Sequence, residues 1–105
     1  MTARLVVLVA ALLMASCVQA QDRGELVTQG ETVFRAQGCY GCHTVGKTGT
    51  PIATDLSRIG AKHDEVYLGR WLRDPSLQRP TAHMPKIDLS ESEVKALAAY
   101  LGSLR

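Results

Sequence analysis

A chain of 105 residues with 12 basic and 10 acidic side chains, formal net charge +2, is one domain by length, and it lacks the basic excess that nucleic acid demands. Its aromatic complement is Phe34, Tyr40, Tyr67, Trp71 and Tyr100. Domains this small bury a limited share of their surface and lean on a metal, a cofactor or disulfides, so the core reads as underfilled unless something large and apolar completes it.

Residues 1–20 read as an export leader. Arg4 supplies a positive start, Leu5 to Ala15 is an unbroken apolar run, and Val18-Gln19-Ala20 forms a small-residue exit before Gln21. That run is short against the about 20 residues that cross a bilayer, so cleavage ranks ahead of an uncleaved anchor. Leu13-Met14-Ala15-Ser16-Cys17 also resembles a lipoprotein processing site, in which Cys17 would carry lipid and become the N-terminus. Met14 stands where leucine is usual, which ranks this reading below plain cleavage. Export is common to both. One basic residue and no acidic one leaves with the leader, so residues 21–105 stay close to neutral.

The first helix of the mature domain is predicted from Leu26, Gly30, Val33 and Phe34, which recur at helical spacing, and Gly38 stops it. Cys39-Tyr40-Gly41-Cys42-His43 follows at once. Three chemistries compete for a Cys-x-x-Cys pair. Structural zinc needs two ligand pairs, and the remaining histidines, His63 and His83, form no second pair. A thioredoxin-like dithiol needs a strand before it, and no strand pattern precedes Cys39. Covalent haem attachment has Cys-x-x-Cys-His as its signature: each thiol adds to a porphyrin vinyl group, and His43 is placed beneath the iron.

Residues 44–62 are rich in Gly, Thr and Lys and show no strand alternation. A second helix is predicted over about 64–74, with Tyr67, Leu68, Trp71 and Leu72 on one face and Asp64 and Glu65 at its positive end; Pro75 terminates it. Beyond it Pro80 and Pro85 bracket Met84, the one methionine outside the leader, in a polar loop. A methionine there suits a sixth iron ligand, which favours electron transfer and raises the reduction potential, better than a gap-filling core role. His83 is its rival, but neighbours in an extended loop point to opposite sides, so only one reaches the iron. His63 reads as a solvated or capping residue. The last helix opens on a capping box, Ser90-Glu91-Ser92-Glu93, and carries Val94, Leu97, Ala98, Leu101 and Leu104 as its apolar stripe.

These residues resemble the class I cytochromes c, in particular the small bacterial monohaem kind and the cytochrome c domains fused to some haem-copper oxidase subunits. Gly30-Glu31-Thr32-Val33-Phe34 is similar to the family's Gly-x-x-x-Phe segment, whose glycine lets the first and last helices cross closely, with Leu97 and Tyr100 at the facing positions. Cys39, Cys42 and His43 match the attachment motif, and Met84-Pro85 is similar to the ligand loop. Asp55-Leu56 followed by Ile59-Gly60 resembles the segment lining the proximal haem side. One residue departs. The family commonly has a proline before that Asp-Leu, whose carbonyl orients the ligand histidine, and Thr54 stands in its place. Any residue has a carbonyl, so the bond to His43 can survive; rigidity is what the change puts in question.

The resemblance, from about Gly30 to the C-terminus, implies an all-α, cytochrome c-like fold: three main helices packed around one covalently bound haem c. With the leader over residues 1–20, the domain is residues 21–105. The resemblance implies cofactor binding by Cys39, Cys42, His43 and Met84, with His43 and Met84 on the iron. It implies an electron carrier in the periplasm, not itself an enzyme, whose partners are redox protein donors and acceptors, including membrane respiratory complexes. Membrane contact would come only through such a partner or through lipid at Cys17. A haem subunit of a larger dehydrogenase or oxidase complex is the runner-up, and a small haem peroxidase ranks last because no acid/base pair accompanies the motif. Lys47, Lys62 and Lys86 read as solvated surface lysines that would also steer acidic partners.

Overall fold

The structure, a computed structural model, describes residues 2–105. Five α-helices carry the chain: α1 (Thr2–Ala36), α2 (Ile59–Lys62), α3 (Glu65–Arg73), α4 (Pro75–Gln78) and α5 (Glu91–Ser103). A 3₁₀ turn spans Cys39–Gly41, and β1 (Thr44–Val45) pairs antiparallel with β2 (Thr48–Gly49). The three segments expected from periodicity are the three longer helices. The one-turn helices α2 and α4 and the small ladder were not expected; the ladder lies in residues 44–62, where the sequence shows no strand alternation. Two residues per strand are too few to alternate visibly.

Each helix end has a local cause. Gly38, at φ 73°, takes the left-handed conformation that ends α1. Asp64 accepts the Tyr67 N–H and so caps α3. Asp74 then caps α4, with Pro75 at the first helical position, where its missing N–H costs nothing. Pro75 therefore ends one helix and opens the next. Both halves of the capping box at α5 form: Ser90 Oγ accepts from the Glu93 N–H at 3.1 Å, and Glu93 Oε1 accepts from the Ser90 N–H at 3.0 Å.

The core sits where α1 crosses α5, with α3 laid against α5. Phe34, Leu68, Leu72, Val94, Leu97, Tyr100 and Leu101 are buried there. Phe34 meets the edges of Tyr40 and Tyr100, with ring centroids at 4.8 and 5.6 Å, the geometry that aromatic quadrupoles favour. Gly30 permits the crossing. A Cβ there would lie 2.6 Å from the Tyr100 Cβ and closer still to the Ala96 carbonyl oxygen. No side chain fits.

Helix α1 also differs from expectation at its start. It runs unbroken from Thr2 to Ala36, across the boundary expected after residue 20, and its apolar part is long enough, by length and composition, to cross a membrane; none of that part is buried. The contiguous apolar letters Leu5–Ala15 understate the span, because Ser16 and Gln19 interrupt the run without ending the helix.

Candidate functional site

The 3₁₀ turn after Gly38 carries the two thiols. Cys39 packs half-buried against the core, Cys42 is exposed, and both are free thiols. Burial pushes the Cys39 thiol above its ordinary value.

His43 Nδ1 lies 2.6 Å from the Thr54 carbonyl oxygen. A carbonyl only accepts, so Nδ1 carries the proton and Nε2 presents its lone pair, the tautomer a metal ligand needs. The residues around this bond are stitched together. The Ala53 N–H donates to the Cys42 carbonyl at 2.7 Å and the Leu56 N–H to the Thr44 carbonyl at 2.8 Å. Asp55 Oδ1 accepts from Thr44 Oγ1, from the Ser57 N–H and from Ser57 Oγ. The Ser57 hydroxyl, its largest influence, together with the Ser57 N–H and Thr44, holds the Asp55 carboxyl below the usual range. The Gly46 N–H closes the set on Ser57 Oγ at 2.7 Å. Gly49, at φ 108°, leaves room for the His43 backbone: a Cβ there would press on the His43 carbonyl and lie 2.9 Å from the Tyr40 ring.

The loop after α4 presents Met84 half-buried and His83 exposed. Met84 packs against the core cluster, and its sulfur accepts the Trp71 indole N–H at 3.1 Å. Methionine sulfur is a weak acceptor and Trp a donor only, so this contact gives Met84 a direction as well as a neighbourhood. His63 is the C-terminal cap of α2 and stacks on Tyr67 with ring centroids at 4.0 Å.

Among the residues expected at the site, Cys39 and Met84 each pack against the core cluster, His43 has its ring oriented by the Thr54 carbonyl, and Cys42 is exposed. Two contacts escaped the sequence reading, the Trp71 N–H on Met84 and the Asp55–Ser57 turn beside His43. Trp71 reads as one more apolar residue of its helix, and only the fold brings its N–H to Met84. The turn itself had a legible local sign, an acidic residue two before a serine, a common pattern; that it braces His43 depends on hydrogen bonds between loop segments eleven residues apart.

The cytochrome c family model matches residues 27–105. This chain belongs to the cytochrome c family. Cytochrome c domains carry covalently bound haem c, so haem, iron and electron transport are its chemistry. The residues fit that group: two free thiols on one turn, an oriented imidazole with a free Nε2, and a thioether directed by an N–H against an apolar core. Cytochrome c oxidase subunit 2 of Alkalihalophilus pseudofirmus is 36% identical over 89 residues, covering 76% of this chain and 26% of that subunit. The Bacillus subtilis protein of the same name is 33% identical over 98 residues, covering 77% and 27%. A nitric oxide reductase subunit of Stutzerimonas stutzeri is 29% identical over 83 residues, covering 73% and 57%. The chain thus spans about a quarter of the length of the oxidase subunits and just over half of the reductase subunit.

Proposed function

We propose that residues 1–20 export the chain and are removed before Gln21, and that residues 21–105 act as a periplasmic single-haem electron carrier. Cys39 and Cys42 would hold the porphyrin, and His43 Nε2 and Met84 Sδ would ligate its iron. The haem would supply one-electron redox chemistry, and two ligands held in place by the protein would keep rearrangement on electron transfer small. The observation that carries the reading is the pair of directed ligand contacts, the His43 Nδ1–H on the Thr54 carbonyl and the Trp71 N–H on Met84 sulfur. Each restrains the side chain proposed as a ligand. With Met84 on the iron, the chain would carry electrons rather than catalyse a reaction.

Four measurements test this. The mass of the mature protein gives its N-terminus, any lipid at Cys17 and the retained haem mass. Acid-acetone extraction should leave the pigment attached. Oxidised protein should show a weak sulfur-to-iron band in the near infrared, absent in Met84→Ala; ready carbon monoxide binding by the wild type without denaturant would instead indicate an open iron site.

A second reading has its own support: the relatives are subunits of oxidase and nitric oxide reductase, and α1 is continuous through an apolar stretch of membrane-crossing length. On that reading the chain passes electrons inside a membrane respiratory assembly. Size exclusion of native extract followed by haem staining separates the two, since a free carrier elutes at its own mass.

A further inference from the structure

The bond from His43 to the Thr54 carbonyl needs a reason to persist, because threonine does not restrict its backbone as proline does. That reason lies on either side of residue 54. Ala53 is tied to Cys42, Leu56 to Thr44, and Ser57 to Gly46. The remaining neighbour is tied by its side chain: Asp55 Oδ1 gathers Thr44 Oγ1 at 3.0 Å, Ser57 Oγ at 2.6 Å and the Ser57 N–H at 3.1 Å. Thr44 directly follows His43, so one carboxylate oxygen joins the residue after the histidine to the residue after its carbonyl partner.

We propose that Asp55 is a positioning residue for His43: through Thr44 and Ser57 it holds the Thr54 carbonyl on the imidazole, supplying the rigidity that a proline at position 54 would otherwise give. This rests on His43 being the iron ligand. A histidine that donates to a carbonyl is a more basic ligand and favours the oxidised metal, so Asp55 acts on the reduction potential without touching the haem. A proline at position 54 would forfeit no hydrogen bond, because the Thr54 N–H donates to no acceptor among the described residues.

The test uses the full haem-loaded protein and follows the His43 ring signals, shifted by the ferric iron, in the proton NMR spectrum. Asp55→Ala should speed exchange of the Nδ1 proton about tenfold, the effect of losing one charge-assisted hydrogen bond, and should raise the reduction potential. Asp55→Asn, which keeps Oδ1 as an acceptor, should stay near wild type. Adding Thr54→Pro to Asp55→Ala should return both readouts towards wild type. A purely structural aspartate would lower the unfolding midpoint while leaving Nδ1 exchange and potential unmoved, and that result overturns the proposal. So does failure of the added proline to restore either readout. If the wild-type protein shows no iron-shifted His43 ring signals, the ligation reading itself falls, and the proposal with it.

Discussion

Replacing Gly30 by alanine sets two effects of opposite sign against each other. In an unencumbered helix interior, alanine is favoured over glycine by about 1 kcal/mol. At position 30 the new methyl would sit 2.6 Å from the Tyr100 Cβ and against the backbone oxygen of Ala96. Neither neighbour is the free end of a flexible side chain, so α1 and α5 must separate by roughly 1 Å, a gap at which each dispersion contact forfeits a quarter to a half of its depth. The contacts at stake belong to Phe34, Leu97 and Tyr100, all nearly inaccessible to solvent. Overpacking of this kind costs about 3 kcal/mol; after the helix gain, a net loss of about 2 kcal/mol remains. For a domain of this size that lowers Tm by roughly 8–16 °C. Thermal unfolding of the ferric protein, followed by far-ultraviolet circular dichroism, measures it. Gly24→Ala in the same helix is the control, since nothing lies within 4 Å of the added methyl, and it should be neutral or raise Tm slightly. A Gly30→Ala protein as stable as Gly24→Ala would refute the close crossing.

Further outcomes follow from other contacts. Trp71→Phe removes the N–H that Met84 sulfur accepts while keeping an aromatic body; in titrations of the ferric protein, exogenous imidazole should displace Met84 at about threefold lower concentration, and unchanged affinity would mean that the bond does not restrain the ligand. Ser90→Ala breaks the capping box of α5 and should cost about 1 kcal/mol in denaturant unfolding, whereas Ser92→Ala should cost little. Four carboxyls lie below their ordinary values in the folded chain: Asp55 through Ser57, Asp74 through Ser76, Glu91 through Arg73 and Glu93 through Ser90. A folded value lower than the unfolded one means that the unfolded chain takes up protons first. Stability should therefore hold above the ordinary carboxylate values near pH 4 and decline as pH falls below them. Denaturant midpoints across pH 7 to about 3 check this, and a flat profile would contradict the network.

Much of the architecture is present in the letters because its causes are local. Ser90 and Glu93 meet within one helical turn, Gly38 ends α1 by its own backbone preference, and Asp64 caps the helix it precedes, so each signal is complete in a short window. The Cys39–His43 unit is equally self-contained. Short elements were harder: α2, α4 and the two-residue strands offer no period to read, and Pro75, legible as a helix stop, also starts α4 because Asp74 turns back to cap it.

What the amino-acid order determined by itself is the chemistry on offer: two thiols and an imidazole in five residues, one methionine in a Pro-flanked loop, and helices with one apolar face each. Tertiary structure decided which groups meet. The Thr54 carbonyl reaches His43 across eleven residues, Trp71 reaches Met84 across thirteen, and Gly30 becomes indispensable only when α5 lies against it. Spacing along a chain fixes neighbours within a turn or two, and beyond that distance only the packing of one surface on another sets the partners.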